Sequence, residues 1–319
     1  MDEKKYNYKN IEIGVGLNQV DNLKPSKYFY EVVEKSHTYD EAEAKLNEYY
    51  KKQVVINKSE KECDIIAIRI AKLLEKKSFT FSPATLKTIH RELFSGVFEG
   101  TIKLYVGIFR DCNLTKNEEI LSGKSVIYGD YSEILDCLEY DFDRESKKDY
   151  SKMSINEQIS NISKFISNIW QVHPFREGNT RTTAIFTIKY LNQKGFDVNN
   201  ELFKENAKYF RNALVLANYS DLKVGFGEDR TYLESFFTKL IVDKNFKLKE
   251  LKNPYDIKEK KSNDSEFNPL TNETIDKLAE NKNDSSALDE FRAKHSENLE
   301  TDTNTDLDKG DKNSPRKNK

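Results

Sequence analysis

Isoleucines at Ile155, Ile159, Ile162, Ile166 and Ile169 recur in steps of three and four. That spacing gathers them on one face and predicts an amphipathic helix, with Ser154 as its N-cap and Pro174 just past its end. Ala184, Ile185, Ile188 and Leu191 repeat the pattern and predict a second helix, closing near Gly195. Helical spacing also marks Tyr39 to Tyr50, Pro83 to Phe94, the run around Tyr209 to Asn218, and Tyr232 to Ile241, where Leu233, Phe236, Phe237 and Leu240 are expected to face inward. Cys63 to Leu74 belongs with them, packing through Ile65, Ile66, Ile68, Ile70, Leu73 and Leu74. Ile120-Leu121 and Ser125 to Tyr128 flank Ser122-Gly123-Lys124 and predict a short hairpin. The pattern predicts a mainly α fold in three regions: an N-terminal part (1–78) that begins irregularly and turns helical, a core (79–246), and a charged tail (247–319). In the tail apolar residues are too sparse to offset chain entropy, so it is expected to be mostly disordered, with a transient helix around Ile275, Leu278, Leu288 and Phe291.

The nine residues from His173 to Arg181, His-Pro-Phe-Arg-Glu-Gly-Asn-Thr-Arg, fall between two predicted helices. The second helix would begin there, with its first amides unpaired and its dipole favouring negative charge. Gly178 lets backbone approach a ligand closely, so the site reads as an anion cradle. Glu177 is a hard oxygen ligand suited to Mg²⁺, Asn179 and Arg181 suit phosphate oxygens, and His173 suits a general base at neutral pH.

This stretch resembles the signature of Fic-domain proteins of the Fic/DOC superfamily, His-x-Phe-x-Asp/Glu-Gly-Asn-Gly-Arg-x-x-Arg. His173, Phe175, Glu177, Gly178, Asn179 and Arg181 match it in register. The resemblance spans roughly Phe79 to Asp243. It implies a Fic-type helical core and transfer of AMP from ATP to a Ser, Thr or Tyr hydroxyl of a protein, releasing pyrophosphate. It further implies His173 as base, Phe175 as core anchor, Glu177 as Mg²⁺ ligand, and Gly178, Asn179 and Arg181 as the phosphate grip. Thr180 stands where the signature has glycine, and Ala184 where it has its final arginine. Thr180 is expected to add a hydroxyl contact to the nucleotide. Ala184 leaves the terminal phosphate without its usual ligand, with Arg176 or Arg211 as replacements. Gly-Asn-Thr after the acid also departs from the Ala-Asn-Lys of the family's kinase-like branch.

The segment from Thr115 to Gly129, TKNEEILSGKSVIYG, is either an ordinary surface hairpin or the flap that Fic proteins carry before the signature. As a flap it would place Val126, Ile127, Tyr128 and Gly129 on the nucleotide and pair with an extended segment of a protein substrate, Ile127 or Tyr128 clamping the target residue. Asn218 either contacts the base and ribose, as the resemblance implies, or caps its own helix. Many Fic proteins are held off by a glutamate in Ser/Thr-x-x-x-Glu-Gly/Asn that pairs with the final arginine. The one literal match, Ser95 to Gly100, lies in the wrong place, and position 184 is alanine. Regulation is therefore expected to be absent, to come from a separate inhibitor protein, or to work differently.

Net charge is −2, and no basic patch interleaves with aromatics, so nucleic acid is not an expected partner. No apolar run is long enough to span a membrane. The start, MDEKKYNYKN, lacks the form of a signal peptide. Cys63, Cys112 and Cys137 are widely spaced and odd in number, which favours a reducing cytoplasm; delivery to another cell as an effector is the other option. His37, His90 and His295 have no partner visible in sequence. Richness in Lys, Asn and Ile fits an AT-rich bacterial genome. Beside AMP transfer stand two other readings: a non-catalytic nucleotide-binding module, and transfer of another nucleotide or a phosphate group.

Overall fold

Two consecutive helices build the centre of the molecule. In the computed structural model, which describes residues 7–256, α7 (Ile155–Val172) starts at a capping box, Ser154 Oγ accepting from Glu157 N–H and Glu157 Oε2 accepting from Ser154 N–H. Ile159, Ile162, Ile166 and Ile169 are buried as their spacing predicts, while Ile155, in the first turn, is half exposed. The helix ends at His173 in the left-handed conformation, φ 50°. α8 (Asn179–Gln193) begins after Gly178, at φ 76°, and stops ahead of Gly195, at φ 87°. From Asn179 to Leu191 every residue of α8 is buried, so the helix is enclosed on all sides and the one-sided stripe read from its sequence covers only part of its packing. Its other faces are threonines: Thr182, Thr183 and Thr187 lie inside, Thr187 Oγ1 donating to the Thr183 carbonyl.

On this pair pack α4 (Lys58–Glu75), α5 (Pro83–Phe94), α6 (Ile134–Ser146), α9 (Glu201–Ala217) and α10 (Thr231–Ile241); α1 (Tyr8–Leu17) packs on α4 and α9, α3 (Tyr39–Lys52) on α4, and α2 (Lys27–Lys35) on α3. No strand is formed among the described residues; Asp221 and Phe226 make an isolated bridge. The N-terminal part is ordered earlier than its sequence suggests, because α1 is wedged between α4 and α9. Gly14 and Gly16 make that possible. A Cβ at Gly14 would lie 2.3 Å from the Ala67 carbonyl oxygen of α4, and one at Gly16 2.4 Å from Lys204 Cα of α9. A 3-10 turn, Asn18–Asp21, extends α1 and carries Asp21 toward the start of α8.

Residues 115–129 reverse direction where the hairpin is expected, but by a different device. Glu119–Leu121 is a 3-10 turn, Ser122 is left-handed at φ 53°, and Glu118 N–H donates to the Lys124 carbonyl at 2.9 Å. The limbs beyond lack the paired ladder of a β-hairpin. Residues 247–256, which open the expected tail, lie against the core. Tyr209 Oη donates to the Lys249 carbonyl, Asn253 Nδ2 to Ser122 Oγ, and Tyr255 Oη to Asp221. The remainder of the tail, including the transient helix, lies outside the described residues, as do residues 1–6.

Because the α1 contacts are backbone to backbone, neither neighbour can yield cheaply. Gly16→Ala is expected to destabilise the protein by about 1–3 kcal/mol, as overpacking does, read as a lower denaturant midpoint at unchanged slope.

Candidate active site

The elbow between α7 and α8 is held from behind by two residues of other elements. Arg110, buried, points its guanidinium at backbone carbonyls: Nε donates to His173 (2.8 Å), Nη1 to Cys112 (2.7 Å), and Nη2 to Val172 (3.2 Å) and Gly129. It thereby satisfies the carbonyl end of α7 and puts positive charge where the helix dipole is negative. Its own N–H donates to the Pro174 carbonyl at 2.8 Å. The second residue is His90 of α5. Its Nδ1 accepts from Gly107 N–H at 2.9 Å, which leaves Nε2 to donate to the Glu177 carbonyl at 2.9 Å. These bonds assign a neutral Nε2–H tautomer. The ring stacks on Phe175, centroids 3.9 Å apart, and Phe175 is fully buried.

On the front of the elbow lies a cleft of about 70 Å³ lined by His173, Glu177, Gly178, Asn179 and Thr180, with Asp21, Lys116 and Arg211 arriving from elsewhere. Gly178 is required twice over: its φ is positive, and a Cβ would meet the Phe94 ring at 2.4 Å. The first intrahelical bond of α8 runs from Thr182 N–H to the Gly178 carbonyl, so the helix itself does not use the amides of Asn179, Thr180 and Arg181.

His173 is buried, its ring stacked on Tyr128 at 3.9 Å and edge-on to Trp170. Nδ1 is buried with no hydrogen-bond partner among the described residues. Burial, then the positive charges of Lys116 and Arg211, hold the imidazole well below its ordinary pKa. At neutral pH it is an uncharged base. Glu177 faces the Lys116 ammonium in an ion pair. No group of three or more His, Cys, Asp or Glu side chains suited to a metal occurs among the described residues. This donor set fits Mg²⁺ brought in with a polyphosphate, which completes the metal's shell with its own oxygens, rather than an ion held by protein alone.

The other candidate residues are placed differently from their expected contacts. Asn179 spends its amide on the loop, accepting from Phe175 N–H at 2.8 Å and donating to the Phe175 carbonyl at 2.6 Å, so it shapes the turn. Thr180 Oγ1 accepts from Trp170 Nε1 at 3.1 Å. Arg181 does not line the cleft; it is buried and already engaged, Nη2 with Asp21 (2.8 Å) and Glu62 (2.7 Å), Nη1 with Asn18 Oδ1 (2.9 Å). A carboxylate therefore does meet the arginine of the motif, although position 184 is a fully buried alanine. Arg176 lies on the Tyr105 ring and pairs with Asp111, away from the cleft; Arg211 is the arginine that lines it. Asn218 caps α9, its Nδ2 donating to the Leu214 carbonyl and its Oδ1 accepting from Ser167, and does not line the cleft. Tyr128, expected at the surface of a flap, is buried against His173, its Oη donating to Glu118 at 3.2 Å. Val126 is buried too, Gly129 is tied to Gln171 and Arg110, and Ile127 projects outward, 76% exposed.

Residues 80–191 match the model of the Fic/DOC family. Among solved structures, the chain is similar to the N-terminal Fic domain of the effector Bep8 from Bartonella sp. 1-1C, at 19% identity over 60% of this chain and 90% of that one (TM-score 0.43). It is also similar to the N-terminal Fic domain of a Bep effector from Bartonella sp. AR 15-3, at 18% identity over 70% and 89% (TM-score 0.41). No curated protein matches the chain. Residues 80–191 are thus a Fic/DOC-family domain.

The packing of His90 has a consequence for acid stability. Burial pushes its pKa from 6.5 down to about 4. Between those values the unfolded chain binds a proton that the folded one refuses. The contribution is complete above pH 6.5 and is lost as pH falls through about 4. It amounts to about 3 kcal/mol at most. Urea unfolding near pH 7 and near pH 4 should show this loss in the parent protein, and a correspondingly shallower pH dependence in His90→Gln.

Proposed function

We propose, from the Fic/DOC domain at residues 80–191, that this chain is a protein adenylyltransferase. In this reading the target hydroxyl oxygen attacks the α-phosphorus of ATP. A new O–P bond forms, the α–β bridging P–O bond breaks, pyrophosphate leaves, and the hydroxyl proton passes to His173. The observation that carries the reading is a neutral, buried imidazole sharing one cleft with Glu177 and the amide end of α8. A base without charge can accept a proton at neutral pH, and amides left unpaired at the start of α8 would stabilise phosphate charge as it develops.

Mg²⁺ bound with the nucleotide would neutralise phosphate charge, with Glu177 holding it on the protein side. Lys116, paired with Glu177 in the ligand-free chain, would be a second positive charge for the same phosphates. Asn179 and Thr180 act through the backbone they fix rather than as free side-chain ligands. Residues 115–129 receive an extended segment of the protein substrate, and Ile127, an exposed apolar side chain there, meets the target residue. The reaction belongs to a reducing cytoplasm, where Cys63, Cys112 and Cys137 remain free thiols.

The test is intact and peptide mass spectrometry of the protein and a host lysate after incubation with ATP and Mg²⁺. A gain of one AMP on a hydroxyl is expected, reduced about 10²- to 10⁴-fold in His173→Ala, the usual effect of removing a general base. A phosphate adduct would make the chain a kinase. Nucleotide binding with no adduct from any nucleotide would make it a binding module.

A further inference from the structure

The 115–129 segment has no ladder of its own, so its position is set by what touches it. On the cleft side Tyr128 lies on the His173 ring, Lys116 pairs with Glu177, and Leu121 and Val126 are buried. The tip is tied to a different part of the chain, the stretch that follows α10. Asn253 Nδ2 donates to Ser122 Oγ at 3.0 Å. Lys124 Nζ lies over the Tyr255 ring at 4.3 Å and pairs with Asp221 Oδ2 at 3.1 Å. Tyr255 Oη donates to the same Asp221 oxygen at 2.8 Å, which leaves Tyr219 Oη as the donor to Tyr255 Oη. The stretch is anchored upstream as well: Lys249 N–H donates to Ser235 Oγ of α10, its carbonyl accepts from Tyr209 of α9, and Pro254 is buried. Residues 247–256 thus run as a strap from α10 to the tip of the segment. The cleft behind that segment measures about 70 Å³. That is room for about two water molecules, whereas sites for drug-sized ligands hold roughly 300–1,000 Å³. For a nucleotide to enter, a wall has to move. Asp21 and Arg211 line the cleft from a helix end and a packed helix, and the residues from His173 to Thr180 belong to the braced elbow. Lys116 alone among the lining residues comes from a segment fastened chiefly by side chains.

We infer that residues 247–256 are a latch: Asn253 and Tyr255 hold the 115–129 segment down on His173, and their release widens the cleft for the substrate nucleotide. The inference rests on the reading of this cleft as a nucleotide site and adds its regulation, by a part of the chain outside the matched residues 80–191. Whatever parts Tyr255 from Asp221 then sets how often the cleft is open to nucleotide.

The test compares the full chain with two mild variants, Asn253→Ala and Tyr255→Phe, singly and together. Amide hydrogen exchange in residues 118–124 should rise about tenfold in the double variant, the scale of the hydrogen bonds removed. Exchange in α7 should stay at the parent rate, which shows that the fold is intact; if α7 loosens in the double variant, the single ones are read instead. Trp170, the chain's one tryptophan, is buried with its ring edge-on to Tyr128. Its quenching by acrylamide should rise in the same variants, and stopped-flow association of ATP with Mg²⁺ should quicken by a similar factor, because the open form is more populated. Unchanged exchange at 118–124 in folded protein overturns the latch, as does a loosened tip with Trp170 quenching or ATP association at the parent value. AMP incorporation from ATP, followed in the same variants, separates the two claims. A loosened tip and a more readily quenched Trp170, with no ATP bound by any variant, would leave the strap's hold on the segment standing and remove the nucleotide reading. AMP transfer in a protein whose variants loosen nothing would do the reverse.

Discussion

Arg110 is the constraint on which the site depends. A helix that ends at a left-handed, non-glycine residue leaves carbonyls turned inward, and His173 cannot occupy that position unless they are satisfied. One guanidinium takes the carbonyls of Val172, His173, Gly129 and Cys112 together, and the Arg110 amide takes Pro174. The same side chain therefore sets the angle at which α7 hands over to α8 and fastens the end of the 115–129 segment to it. His90 completes the work from the other side by fixing the Glu177 carbonyl and stacking on Phe175. The elbow's backbone is held because its carbonyls at Val172, His173, Pro174 and Glu177 have specific partners.

Rigidity of the backbone is matched by a deliberate imbalance of charge around the imidazole. His173 is surrounded by Lys116, Arg211 and Arg110, with Tyr128 and Trp170 covering its faces. Each cation disfavours protonation, and burial adds to them. The carboxylates nearby do not reverse this, because each is already committed: Glu177 to Lys116, Glu118 and Asp21 to Arg211. The cations around the cleft thus keep the imidazole uncharged.

Much of this was legible in the sequence, and the parts that were not share a cause. The isoleucine ladder of α7, the stop at Gly195 and the glycine at the start of α8 follow from periodicity and backbone freedom, which are local. The cluster of His173, Glu177 and Gly178 was readable because nine adjacent residues carry it. His90 meets Glu177 from 87 positions away and Arg181 meets Glu62 from 119, and neither pairing leaves a trace in spacing. Lys116 lies within the expected flap, but nothing in the spacing of a lone lysine there points to Glu177, 61 positions on. The burial of Tyr128 is not readable from its segment, because the absence of a ladder lets the segment fold its ring onto His173. Asn179 and Asn218 match polar ligands in type, but both amides are consumed by backbone that would otherwise be unsatisfied.

The account turns on His173 being an uncharged base in the folded protein. A ¹⁵N-imidazole NMR titration of the ligand-free chain, with His173→Ala to assign the resonance, tests this most directly. The predicted result is a neutral ring throughout the range around and below pH 6.5 in which an ordinary histidine takes up its proton. A midpoint at or above 6.5 would mean that burial and the three cations do not govern the ring, and the assignment of His173 as the base at neutral pH would lose its physical ground.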